Sequence, residues 1–145
     1  DEPTTALDVT VQAQILNILN SLRKKRKLSI LFISHDFGVI SQLCDRVIVM
    51  YAGSIVEEGP VKNIMQQAAH PYTSELIKCV PQLGNKEHAL HSIPGNPPSL
   101  NQLPEGCVFA NRCQYKQDQC LKGSVPVSSK DNRSYKCFYP VGGAA

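Results

Sequence analysis

Apolar positions recur at every third or fourth residue through VTVQAQILNILNSLRKKRK, where Val11, Ile15, Ile18, Leu19 and Leu22 fall on one helical face. Asp8, just ahead of it, is a helix-capping residue type in capping position. LSILFIS follows, short, apolar and partly β-branched, and reads as a buried strand ending at His35 and Asp36. FGVISQLC predicts a short helix, and DRVIVMYAGSIVEEG predicts two strands turning at Ala52-Gly53. PVKNIMQQ opens with Pro at a helix start, and HPYTSELIKCV predicts a further helix with Thr73 or Ser74 near its beginning. Alternation of helix and strand predicts an α/β layer with a mostly parallel sheet. In such sheets chemistry gathers at the carboxyl ends of the strands, which makes Asp1, Glu2 and His35 candidates for one edge. A further strand is expected just before Asp1.

The pattern changes near Pro81. Beyond it, Pro, Gly, Asn and Cys replace periodic apolar residues, and IPGNPPSLNQLPEG reads as a rigid, extended connection rather than a helix. Two zones are therefore expected, residues 1–80 and residues 81–145.

Composition narrows the function. The 145 residues are 42% apolar, enough for a core of ordinary size. Fifteen Lys and Arg against twelve Asp and Glu give a net charge of +3, too mild to argue for nucleic acid. The RKKRK run (Arg23–Lys27) reads as the solvated end of the first helix, where cations complement the helix dipole. Apolar runs such as ILFI and VIVMYA fall far short of the roughly 18 residues a membrane span needs.

An Asp followed by Glu at a strand end suits a Mg²⁺-nucleotide site: the first acid can hold the metal and the second can polarise an attacking water. His35, ending another strand, could sense a terminal phosphate at the same edge. Taken singly, DE and SHD also suit two surface acids and an ordinary histidine. In the tail, Cys107, Cys113, Cys120 and Cys137 stand with five, six and sixteen residues between them. No pair has the tight spacing usual in zinc ribbons, and spacing alone leaves an iron–sulfur cluster, zinc and free thiols open. Cys44 and Cys79 read as small core residues on helical faces. His88 and His91 have no partner at ligand spacing, and His70-Pro71 reads as a helix start.

DEPTTALD, a helix, SILFISHD and then DRVIVMYAGSIVEEG resemble the second half of an ABC-transporter nucleotide-binding domain. The resemblance implies a P-loop-type ATPase fold, with Asp1 as the Walker B aspartate on Mg²⁺ and Glu2 as the catalytic glutamate. It likewise implies that His35 is the switch histidine on the γ-phosphate and that Asp8, in the D-loop, links the ATP site to the opposite subunit. HPYTSELIKCVPQL, IPGNPP and the LPEGCVFANRC run resemble the C-terminal extension of oligopeptide and dipeptide importer ATPases. That family implies a 4Fe–4S cluster on Cys107, Cys113, Cys120 and Cys137, zinc being the alternative. Asn111 stands where the family often has Pro, and no His precedes the last Cys among Arg133 to Lys136.

Walker A, Q-loop and LSGGQ motifs do not occur in these residues, so the chain is expected to be a C-terminal fragment, inactive alone. The implied whole is a peripheral ATPase subunit at the cytoplasmic face of the bacterial inner membrane. It would pair with a second ATPase subunit and with transmembrane permease subunits, would be served indirectly by a peptide-binding protein, and would have no nucleic-acid partner. Its substrate would be peptides, oligopeptides by the VPQL and IPGNPPSL segments. A different class of reading stays open: a non-catalytic metal or redox module on a truncated ATPase scaffold.

Overall fold

The computed structural model describes residues 1–80 and 92–142. Pro81, where the composition changes, and His88 and His91 lie outside the described residues. The chain divides into two compact units, Asp1–Cys44 and Asp45–Ala145.

In the first unit, α1 (Val9–Arg26) begins where the Asp8 carboxylate accepts from Val11 N–H at 2.9 Å. It ends at Lys27, whose left-handed backbone (φ 52°) and N–H to the Arg23 carbonyl close the last turn. Arg23, Lys24, Lys25 and Arg26 fill that turn, as the cationic run predicted. The buried contact of α1 is narrower than its periodicity suggested. Leu16, with Leu19 beside it, packs on Val39 and Leu43 of α2 (Phe37–Leu43), with Phe32 and Cys44 at the margin. Val11, Ile18 and Leu22 remain exposed.

The expectation of a parallel P-loop-type sheet is overturned. Among the described residues the sheet has four strands in the order β1-β2-β4-β3, and all its pairs are antiparallel. It lies wholly in the second unit, with β1 Arg46–Tyr51, β2 Ser54–Pro60, β3 Val127–Lys130 and β4 Arg133–Lys136. Turn length dictates the direction. Ala52 and Gly53 (φ 45° and 77°) join β1 to β2, and Asp131 and Asn132 (φ 53° and 58°) join β3 to β4. Two positive-φ residues make a tight hairpin, and a tight hairpin admits only antiparallel strands. Leu28–Ser34, the expected buried strand, forms no ladder. Its Ile33 carbonyl accepts one bond from Glu2 N–H at 2.9 Å, and Leu31 is 86% exposed. An apolar run becomes a strand only where another strand takes up its backbone groups.

Val47, Val49 and Tyr51 face inward on β1 by simple alternation. On β2 the alternation breaks. Met50 pairs with Ile55 but Val49 pairs with Glu57, leaving Val56 as the extra residue of a bulge. The bulge turns both Val56 and Glu57 inward. Short helices α3 (Val61–Gln66) and α4 (Pro71–Lys78) complete the layer, with Ile64 and Ala69 fully buried. The Pro-rich stretch after Ser92 stays without regular structure, as its composition predicted. Arg112 holds its start by donating to the Ile93 carbonyl (2.7 Å), the Pro94 carbonyl (2.9 Å) and the Tyr51 hydroxyl (3.1 Å).

Candidate functional site

Glu2 and His35 are 33 positions apart and meet at 2.8 Å, Oε1 to Nδ1. Local structure explains why both side chains are available. Asp36 caps α2 by accepting from Gly38 N–H (2.8 Å) and Val39 N–H (3.2 Å), and Ser34 Oγ accepts from Asp36 N–H. The residues flanking His35 are thus committed to the turn, and its ring projects outward, 73% exposed. Glu2 is placed by its own backbone, through the N–H to the Ile33 carbonyl and a left-handed φ of 41°. Its second oxygen accepts from the Thr5 hydroxyl at 3.0 Å. The hydrogen bond from His35, then that from Thr5, holds the Glu2 carboxyl below its ordinary range, and the same Glu2 contact raises His35. The pair can hold and exchange a proton at an open surface. Asp1 lies exposed beside it, while the Asp8 carboxylate serves the helix cap.

The second unit carries a different chemistry. Cys107, Cys113, Cys120 and Cys137 line one pocket, together with His70 and Phe109. Three local devices bring them there. Cys107 N–H donates to the Cys120 carbonyl at 2.8 Å, which ties two loops together. Single 3₁₀ turns, Ala110–Arg112 and Asp118–Leu121, present Cys113 and Cys120. Cys137 follows β4 directly and packs against Ala69 and Tyr135. Gly106 permits the loop crossing, because a Cβ there would stand 2.3 Å from the Cys120 carbonyl oxygen. Phe109, 1% exposed, anchors the floor edge-on to Tyr51 at 5.2 Å.

Burial raises the Cys107 and Cys113 thiols and pushes Cys137 up to about 12, with the neighbouring thiols adding to each shift. Cys107, Cys113 and Cys137 therefore stay protonated unless a positive centre offsets the burial. None of these four sulfurs forms a disulfide. Among the described residues no three His, Cys, Asp or Glu side chains are gathered closely enough for a single metal ion. Four thiols around a shared pocket are a donor set that suits a cluster, which takes one thiolate at each of four separate irons.

The sequence marks His70 only as a helix start, and the structure makes it the cap of α4: Nδ1 accepts from Tyr72 N–H at 3.1 Å. Thr73 and Ser74 do not cap. His70 is 1% exposed, and burial lowers its pKa to about 4, so the ring is neutral and Nε2 carries the hydrogen. Cys79, expected in a core, is exposed at the end of α4. The Asp131-Asn132 hairpin was also missed, although two turn-forming residues between VSSK and RSYK signalled it.

Residues 56–120 match the family described as the oligopeptide/dipeptide transporter, C-terminal region. Over these residues the chain is similar to that region. Within it lie His70, Cys107, Cys113 and Cys120, while Cys137 follows it and Glu2 and His35 precede it. Beyond this region the chain is similar to the oligopeptide transport ATP-binding protein OppD of Salmonella typhimurium, 44% identical over 97% of the chain and 42% of the relative. It is 52% identical to OppD of Haemophilus influenzae over 83% of the chain and 37% of that protein. The probable D,D-dipeptide transport ATP-binding protein DdpD of Escherichia coli is 45% identical over 97% of the chain and 43% of its own length. The chain thus spans about two fifths of the curated relatives it matches. Among the described residues no helix is long and apolar enough to cross a membrane.

Proposed function

We propose that the chain is part of the ATP-hydrolysing subunit of an ABC transporter that imports peptides, with oligopeptides as the substrate class. Residues 1–80 would be the later part of its nucleotide-binding domain and residues 81–145 its extension. Support comes from the homology to transport ATP-binding proteins and, above all, from the 2.8 Å contact between Glu2 and His35. Glu2, kept ionised by His35 and Thr5, is the general base that takes a proton from the attacking water. His35 orients that carboxylate and faces the terminal phosphate. Asp1 holds Mg²⁺, which would neutralise charge on the phosphates when bound. Asp8, at the start of α1, faces the partner ATPase subunit. The expected setting is the cytoplasmic face of the bacterial inner membrane, beside permease subunits fed by a peptide-binding protein. In the full-length ATPase, Glu2→Gln should preserve ATP binding and abolish hydrolysis; wild-type turnover in that variant would place the base elsewhere.

For the second unit we propose a 4Fe–4S cluster on Cys107, Cys113, Cys120 and Cys137. The reading is supported by the common pocket, the chemistry of four thiols and an orphaned buried N–H on His70. Bound there, the cluster would cross-link a segment poor in apolar residues and could carry one electron. The same pocket favours, as a second reading, a metal or redox module that regulates rather than hydrolyses. In the full-length ATPase, bound iron whose state leaves nucleotide affinity and turnover unchanged would mark a structural rather than a regulatory role.

A further inference from the structure

His70 Nε2 is buried and has no hydrogen-bond partner among the described residues. A buried donor left unmade costs about 1–3 kcal/mol, so such a group in a native fold calls for a partner. Nδ1 is already committed to Tyr72 N–H, which fixes the tautomer and leaves Nε2–H as the donor. His70 lines the pocket of the four cysteines and also borders the neighbouring cleft of Ser54, Glu105 and Lys136. Glu57 fixes the ring's backbone, its carboxylate accepting from Ala69 N–H (2.8 Å) and His70 N–H (2.9 Å). The imidazole is therefore held at the wall of the pocket by a cap, a buried carboxylate and its own burial.

We infer that His70 is a positioning residue whose Nε2–H donates to a sulfur of the centre held by Cys107, Cys113, Cys120 and Cys137, tuning its reduction potential. This rests on the cluster reading above. A hydrogen bond to cluster sulfur stabilises the reduced form, which bears more negative charge, and so raises the potential.

Two substitutions separate the cap from the donor. Asn is a strong N-cap, so His70→Asn keeps the bond to Tyr72 N–H but falls short of the Nε2 position. His70→Gln reaches about as far as Nε2 with an N–H. The full chain, purified anaerobically and loaded with iron and sulfide, is titrated with dithionite and followed by its visible absorption. At equal iron content, His70→Asn should shift the potential to a more negative value and His70→Gln should recover part of the shift. Equal potentials in wild type and His70→Asn overturn the inference. If His70→Asn takes up no iron, wild type labelled with ¹⁵N-histidine decides: pulsed EPR of the reduced protein should show a histidine nitrogen coupling, and its absence overturns the inference. Wild type that binds no iron overturns the cluster reading itself, and the inference with it.

Discussion

The Glu57 carboxylate on β2 lies 3.9 Å from the Arg133 guanidinium on β4, and both side chains are almost wholly buried. Around them, Glu57 accepts from Ala69 and His70 N–H, and Arg133 donates to the Gln67 carbonyl. One polar group thus joins the first hairpin, the last hairpin and the turn into α4. Breaking a buried pair leaves an uncompensated charge, which costs about 3–5 kcal/mol. Arg133→Met is expected to lower stability by about that amount, read as a fall in the urea midpoint. Glu57→Gln should also destabilise, because one amide hydrogen must then face a backbone N–H. An unchanged midpoint in both variants would show the group to be incidental.

Glu57 also shows where sequence reasoning lost its footing. A strict two-residue period places Glu57 on the outer face with Ile55, and the bulge at Val56 reverses it. The helix start at Asp8 was legible because capping is local chemistry, and the Ala52-Gly53 turn was legible for the same reason, whereas Asp36, expected at a strand end, caps α2. Leu28–Ser34 was not, because strand formation depends on a partner that the segment itself does not encode. Glu2 and His35 could each be singled out by residue type, but their 2.8 Å meeting depends on the fold. The shared pocket of the cysteines was likewise invisible in spacings of five, six and sixteen residues.

The Glu2–His35 contact makes a pH prediction. His35 is raised above its ordinary value, so its contribution is complete below about pH 6.5 and is lost as pH rises through the raised pKa. Glu2 is lowered, so its contribution is complete above about pH 4.5 and is lost as pH falls through the lowered pKa. The ion pair is therefore fullest between about pH 4.5 and 6.5. An NMR titration of the His35 ring should give a midpoint above about 6.5, returning towards that value in Glu2→Gln. A midpoint that does not move in the variant would mean that the contact does not persist in solution.

Gly106→Ala tests the loop crossing. The added methyl would overlap the Cys120 carbonyl, which accepts from Cys107 N–H, and neither backbone can give way without opening the pocket. Overpacking of this kind costs about 1–3 kcal/mol. The variant should expose Cys107 and Cys120 to alkylating reagents faster than wild type. Unchanged thiol reactivity would mean that the two loops do not depend on this approach.

The cysteines themselves allow the sharpest separation of outcomes. Burial keeps Cys107, Cys113 and Cys137 protonated, so loading a metal centre must release protons and should grow stronger as pH rises. Anaerobically purified protein should be brown, with a broad absorption near about 400 nm from sulfur-to-iron charge transfer. Replacing Cys107, Cys113, Cys120 or Cys137 by Ser should bleach it. Chelation of the iron should loosen the tail, read as faster amide exchange in β3 and β4, since binding energy would be lost from folding. Cys44 packs at the edge of the first unit's core and Cys79 is exposed at the end of α4, so Ser at either position should leave the colour intact. Colourless protein with one zinc per chain would replace the cluster by a zinc site. Colourless, metal-free protein whose tail exchanges as slowly as β1 would show that Phe109, Tyr51 and the Glu57 group suffice to order it.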